Sequence, residues 1–510
     1  MKLRIISLVL PILLLDGCRK QEQQSNSMTS AIDRDTSIQM NETAAIVQNP
    51  FFVESPLYMN YPQFDLIKNE HYLPAFERGM AEHLVEIETI ASQMEVTSFE
   101  NTIIALELAG DLYARVASVF FAMSSAHTNE QIQALAQQLA TEIAAHEDAI
   151  LLNRDLFAKI NNLYEQQEFL ELDEESKRLL EDYYVDFIRA GAGLDVDEQE
   201  RMKELNAQIA VLETQFSQNI LSEVNDLAIV VDTREELAGL SEARKDAAAE
   251  EAAERGLNGK FVIPLLNTSG QPTLVRLQNR NLRERIHTTS LSRGSRGGEF
   301  DNREILSDVI RLRAERAQLL GYANHAEYIL ENQTAQNVAA VNQRLGELTP
   351  AAVANATREA SDLQQIIAED GQNFELASWD WDFYTEKLRV DRYDFDVNQL
   401  RPYFELNNVL QKGVFFAAEK LYGITFQERT DLPVYQEDVR VFEVYDMTGA
   451  TLALFIADFY ARPSKRGGAW MNAYKEVRVG PPGGPCRGRL PTGACSRLSA
   501  LLPIGIHYRV

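Results

Sequence analysis

Between residues 205 and 220, apolar side chains fall at Leu205, Ile209, Leu212, Phe216 and Ile220, at spacings of four, three, four and four. Glu204, Gln208 and Glu213 lie off that stripe. A period near 3.6 residues puts the five apolar positions on one face, so the segment predicts an amphipathic helix whose stripe is core, not a site. The same rhythm runs through 49–226 and resumes over 280–291, 303–320, 338–368 and 409–421. Thr97-Ser98-Phe99-Glu100 has capping-box spacing just before Ile103, Ile104 and Leu106, and predicts a helix start there. The aspartates of Leu194-Asp195-Val196-Asp197-Glu198 also read as helix caps, because the glycine and glutamate of a calcium loop are missing.

Two stretches break the helical rhythm. Phe261-Val262-Ile263-Pro264 and Thr273-Leu274-Val275 flank Asn267-Thr268-Ser269-Gly270, which predicts a short hairpin and a domain boundary near 260. Val441-Phe442-Glu443-Val444-Tyr445 and Leu452-Ala453-Leu454-Phe455 around Met447-Thr448-Gly449 predict a second hairpin, with a third strand over 467–471. No repeat is visible. The expected fold class is therefore mainly α: a multi-helix body with small β-hairpins.

The first residues change the picture of where the chain resides. Lys2 and Arg4 precede an apolar stretch from Ile5 to Leu15, interrupted by Ser7 and Pro11. It is too short to span a bilayer, which needs roughly 20 apolar residues, and it has the layout of an export signal. Leu15-Asp16-Gly17-Cys18 resembles a bacterial lipobox, with Asp16 atypical. The expectation is a lipoprotein signal peptide over 1–17, lipidation at Cys18, and an exported protein anchored to the membrane on the periplasmic or cell-envelope side. An ordinary signal peptide with an incidental cysteine is the alternative. Residues 18–48 are rich in Gln, Ser, Asn and Thr without apolar periodicity, and predict a flexible tether. A net charge of −27, from 76 acidic against 49 basic residues, repels phosphate backbones and excludes nucleic acid as a partner.

Spacing alone yields no catalytic constellation. Seven histidines occur, no two of them four apart, and HExxH is absent. His146-Glu147 is followed at the fourth position by Ile150, which cannot ligate a metal, so His146 reads as a surface helix residue. Cys486 and Cys495 form no Cys-x-x-Cys pair and support neither a zinc nor a redox site. Arg293-Gly294-Ser295-Arg296-Gly297-Gly298 follows a helix and lacks the Lys-Ser/Thr of a phosphate loop. It reads as a turn with left-handed glycines, after which Asp301 or Asn302 caps a helix starting near Arg303.

Longer matches carry a resemblance. They begin with Asn49-Pro50-Phe51, Phe64-Asp65-Leu66-Ile67-Lys68, Tyr72-Leu73-Pro74-Ala75-Phe76-Glu77 and Ser98-Phe99-Glu100-Asn101-Thr102-Ile103. Arg313-Ala314-Glu315-Arg316-Ala317 and Leu320-Gly321-Tyr322-Ala323-Asn324-His325-Ala326 follow. The most specific are Trp379-Asp380-Trp381-Asp382-Phe383-Tyr384 and Leu400-Arg401-Pro402-Tyr403-Phe404-Glu405-Leu406-Asn407-Asn408. From Asn49 to Met471 the chain resembles the thimet-oligopeptidase-like zinc metallopeptidase family, in particular its bacterial peptidyl-dipeptidases (dipeptidyl carboxypeptidases). The resemblance implies an elongated helical body, a zinc ion held by HExxH and a downstream glutamate, and metal-assisted hydrolysis of oligopeptides with release of C-terminal dipeptides. Short peptides are the implied substrates.

None of the implied zinc ligands or catalytic residues has a counterpart here, so the expected catalytic residues are none and the expected metal ligands are none. Zn(2+) belongs to the intact family and is not expected to bind this chain. One element matches: Gly467, Gly468 and Ala469, before Trp470, resemble the strand whose backbone pairs with an extended peptide. The alternative is a tight glycine turn with Trp470 in the core. From Lys475 to Val510 there are six glycines, five prolines, five arginines and one acidic residue, so 475–510 reads as an aberrant Gly/Pro/Arg-rich tail. The expectation is a frameshift or truncation before the zinc motif, with a genuine basic tail as alternative. The expected organisation is an N-terminal helical domain over 49–259 and the first part of a peptidase domain over 260–474, the catalytic half incomplete. Function is then a zinc metallopeptidase by family with this chain inactive, or else a non-catalytic helical lipoprotein that binds peptides or a partner.

Overall fold

Many of the described helices begin at an Asn or Asp whose side chain accepts from the third following amide. Asn129 accepts from the Ile132 N–H at 3.0 Å, Asn153 from Leu156 at 2.9 Å, Asp173 from Ser176 at 2.8 Å, Asn279 from Leu282 at 3.2 Å, Asn324 from Glu327 at 3.0 Å and Asn337 from Ala340 at 2.8 Å. Each satisfies one otherwise free N–H of a first turn and fixes where the helix starts. The computed structural model describes residues 49–266, 270–394 and 399–475, with the backbone of Ile506–His507. The expected signal peptide, Cys18 and tether lie outside the described residues, as do Cys486, Cys495 and nearly all of the tail.

The described chain is mainly helical with two small sheets. It falls into two compact units, which do not follow chain order. The first holds α1 (Tyr72–Ser92), α2 (Asp111–Ala126), α3 (Glu130–Leu151), α4 (Arg154–Glu165), α5 (Glu174–Ala190) and the first part of α6 (Val196–Asp226). Two core clusters lie among these helices. Phe76, Val116, Phe120 and Leu139 fill one, and Ile87, Leu156, Ile160, Leu163, Leu180 and Phe187 the other. Helices α1 and α2 approach closely at Gly79, where an added Cβ would sit 2.9 Å from the Tyr113 nitrogen. On α6 the predicted stripe holds in its first half: Leu205 and Ile209 are buried, whereas Leu212, Phe216 and Ile220 are half-buried and Glu213, expected off the stripe, is buried. Asp195 and Glu198 cap that helix reciprocally, at 2.9 and 3.1 Å.

The chain later returns to this first unit as a sheet of β3 (Thr425–Arg429), β4 (Arg440–Tyr445) and β5 (Thr451–Asp458), antiparallel in that order. The backbone of Ile506–His507 runs parallel to β5 at Ala457–Asp458. The β4–β5 hairpin is the predicted one. Its turn is held by Asp446, whose carboxylate accepts from the Thr448 and Ala450 amides at 2.8 and 2.9 Å, and by Gly449 at φ 82°. The strand expected over 467–471 does not form. Gly467 and Gly468 bend, Gly468 at φ 96°, and only Trp470 makes an isolated bridge. The additional strand is β3, whose charged Glu428 and Arg429 hid the alternation.

The second unit holds residues 216–422 and 466–468. Here β1 (Ala228–Val231) pairs antiparallel with β2 (Phe261–Pro264). The hairpin expected within 261–275 is thus replaced by a longer-range ladder, and Pro272–Val275 forms a 3-10 turn whose leading proline has no amide to give a strand. Helices α7 (Glu242–Glu254), α8 (Arg280–Leu291), α9 (Arg303–Leu319), α10 (His325–Leu330), α11 (Val338–Glu369) and α12 (Trp381–Tyr393) follow. Gly294, Gly297 and Gly298 take positive φ, and Asp301 accepts from the Arg303 amide at 3.0 Å, as the turn reading required. Asp380, within the Trp-Asp-Trp motif, is fully buried and receives Arg280 and Arg283 at 2.8 and 2.7 Å. Burial alone would raise its pKa, but hydrogen bonds from the two guanidinium groups hold it below the usual carboxylate range.

Candidate functional site

Strand β5 alternates against β4 in a register that pairs Val441 with Ile456 and Arg440 with Ala457, and the next residue, Asp458, ends the strand inside the core. Asp458 is fully buried. Its carboxylate accepts from the Tyr435 hydroxyl at 2.9 Å, from both terminal nitrogens of Arg462 at 2.8 and 2.6 Å, and from Lys465 Nζ at 3.0 Å. Lys465, also fully buried, donates in addition to the carbonyl oxygens of Asp458 at 2.7 Å and Tyr460 at 3.1 Å. The three donors of the ammonium are all used.

Two cations share one carboxylate, and carbonyl dipoles supply the remaining negative charge. Arg462 donates to the carbonyl of Ala126 at the end of α2, and the Thr128 amide donates to the carbonyl of Ser464 at 2.9 Å. The Arg462 guanidinium lies 5.9 Å from the centre of the Tyr435 ring. Burial raises the Tyr435 pKa strongly, so its hydroxyl stays a neutral donor to Asp458. Burial also lowers the pKa of His127, and the nearby Arg462 charge adds to that effect. His127 is therefore neutral near pH 7, its ring centre 6.0 Å from that of Tyr435.

Directly after this network come Gly467, Gly468 and Ala469. Gly467 is half-buried, and Gly468 and Ala469 are exposed. A Cβ built on Gly468 meets nothing within 4 Å, so the left-handed φ, not crowding, calls for glycine there. Lys465 Nζ sits 5.9 Å from the centre of the Trp470 ring, a cation–π contact. Trp470 is half-buried rather than sealed in the core. The segment is thus accessible at Gly468 and Ala469 but bent, not an extended edge.

The remaining histidines give no constellation. His146 is a correction: it is buried, not on the surface, and its Nε2 lies 3.0 Å from His83 Nδ1. The alternation of polar residues along α3 hid this, because α1 covers the face that carries His146. Burial pushes the His146 pKa down to about 4, and that of Glu147 up to about 7. The Asp458–Arg462–Lys465 network was not singled out from the sequence. Its signal was weak: three charged residues at spacings of four and three beside an apolar strand.

Comparison with known proteins adds to this geometry. The profile of Peptidase family M3 matches residues 273–492, continuing past Met471. The chain is 43% identical to dipeptidyl carboxypeptidase of Escherichia coli K12 over 84% of its own length and 63% of that protein's. The chain belongs to peptidase family M3. Oligopeptidase A of Salmonella typhimurium is a more distant M3 relative, 29% identical over 82% of the chain and 62% of its own length. The chain therefore spans slightly less than two thirds of these relatives.

M3 peptidases are zinc-dependent, so the described residues can be tested for a zinc site. Among them no group of three or more His, Cys, Asp or Glu side chains is arranged to hold a metal ion. Among the described residues His83, half-buried, and His146, buried, lie close together but are not part of such a group. The described residues do not fit the ion, and no chemical step is derived through it.

Proposed function

We propose that this chain binds short, extended peptides at the backbone of Gly467, Gly468 and Ala469, as part of an M3 lineage whose activity is oligopeptide hydrolysis of the dipeptidyl-carboxypeptidase type. The supporting observation is that Gly468 and Ala469 are exposed and follow directly, along the chain, on the buried Asp458–Lys465 network. Residues 1–510 contain no HExxH. On this reading the chain neither holds zinc nor hydrolyses peptides by itself, and recognition is what it retains. Anisotropy titration of a fluorescein-labelled pentapeptide, run beside metal analysis after gel filtration and cleavage of an internally quenched peptide, tests all three parts. Saturable peptide binding with no zinc and no cleavage is the expected result. One tightly bound zinc per chain, or turnover abolished by a chelator, contradicts it.

The reading extends to location. An export signal over 1–17 and a diacylated Cys18 would tether the protein to the membrane outside the cytoplasm. No helix among the described residues is long and apolar enough to cross a membrane. Detergent-phase partitioning of the parent chain, lost in Cys18→Ala, is the expected outcome.

A further inference from the structure

Buried charge is a costly way to hold a loop. An apolar set of similar volume would stabilise it as well or better, whereas charged groups with directional hydrogen bonds fix a conformation. The loop from Asp458 to Lys465 is closed by such groups. Lys465 folds back onto the carbonyls of Asp458 and Tyr460 and onto the Asp458 carboxylate, and Arg462 closes on the same carboxylate. Arg466, Gly468 and Ala469 are then exposed and Gly467 half-buried, and the ammonium of Lys465 also lies 5.9 Å from the centre of the Trp470 ring. One buried side chain therefore contacts groups before and after this stretch.

We propose that Asp458 and Lys465 are positioning residues for peptide recognition, holding the bent, accessible conformation of 467–469 at which a peptide is received. The assignment rests on the peptide-binding reading above. Neither residue touches the peptide. Their effect reaches it through the turn at Gly468 and through the orientation of Trp470, whose indole reports the state of the segment.

The test uses the full chain with Lys465→Met and Asp458→Asn. Three measurements are made: peptide affinity by anisotropy, amide hydrogen exchange across 466–471, and tryptophan emission during peptide titration, with Trp470→Phe identifying the contribution of Trp470. Misplacing a single backbone hydrogen bond to the peptide lowers affinity roughly tenfold, and that loss is expected in both variants. Exchange should accelerate within 466–471 while α3 and α4 keep their protection, and the Trp470 response to peptide should disappear. Variants that bind within twofold of the parent overturn the proposal. So does a loss of binding accompanied by faster exchange throughout the first unit, which marks a folding role only. Failure of the parent chain itself to bind peptide is a separate result, and it overturns the peptide-binding reading together with the role built on it.

Discussion

The pair His146 and Glu147 shows how much one step along a helix changes a side chain's chemistry. His146 faces α1 and pairs with His83, and burial lowers its pKa to about 4. In the unfolded chain it titrates near 6.5, so the unfolded state binds the extra proton as pH falls below that value. Stability from this residue is present above pH 6.5 and is lost toward pH 4. Glu147 has the opposite sign. Burial, and next the charge of Asp148, raise its pKa to about 7, so the native state holds a proton that the unfolded state releases above about 4.5. That stability is present below pH 4.5 and is lost as pH rises through 7. Glu147→Gln is therefore expected to stabilise the protein by about 1–2 kcal/mol at pH 8 and by almost nothing at pH 4, as measured by urea unfolding at the two pH values. Equal effects at both would show that the carboxyl is not displaced. The hydrophobic period could not give this: it locates a face, whereas burial of His146 depends on α1, more than 50 positions away.

Helices were the most legible elements, because their signals lie within a few residues of each other. Helix α8 begins and ends where its pattern said, at Arg280 and Leu291, and α9 and α11 end within one residue of expectation. Where two neighbouring cap residues compete, spacing alone misassigns them. The box expected between Thr97 and Glu100 lies one residue on: Ser98 accepts from the Asn101 amide at 3.2 Å, and Asn101 accepts from the Ser98 amide at 2.9 Å. Ser98→Ala should cost about 1 kcal/mol and Thr97→Ala well under about half of that, in urea unfolding at neutral pH. The reverse order would restore the original assignment. Strands were less legible, since pairing is non-local. Phe261–Pro264 was recognisable as a strand, but its partner Ala228–Val231 ends thirty positions earlier. For the candidate site, the glycines were visible and the base beneath them was not. Charges such as Asp458 and Lys465 read as solvated until β5 carries them into the core.

At the scale of the whole molecule, two opposing features decide solution behaviour. The net charge is −27, which keeps copies apart through long-range repulsion. Against it, helix α11 carries an exposed apolar set at Leu345, Leu348 and Val353, which are 56%, 49% and 58% accessible. Over residues 338–357 the only charged side chains are Arg344 and Glu347, so this stretch contributes no net repulsion of its own. Repulsion between copies is screened by salt, with a Debye length near 10 Å at 0.1 M falling to about 3 Å at 1 M, whereas apolar attraction is not weakened by that screening. The chain should therefore be monomeric at low ionic strength, with the 57.6 kDa mass of one copy, and associate as salt is raised. Light scattering after gel filtration at 20 mM and 500 mM sodium chloride reads this directly. Leu345→Glu combined with Leu348→Glu should keep the high-salt sample monomeric. A parent chain that stays monomeric in both buffers would show that the exposed face of α11 is too small to hold two copies together. Association at low salt that dissolves at high salt would assign the contact to charge instead.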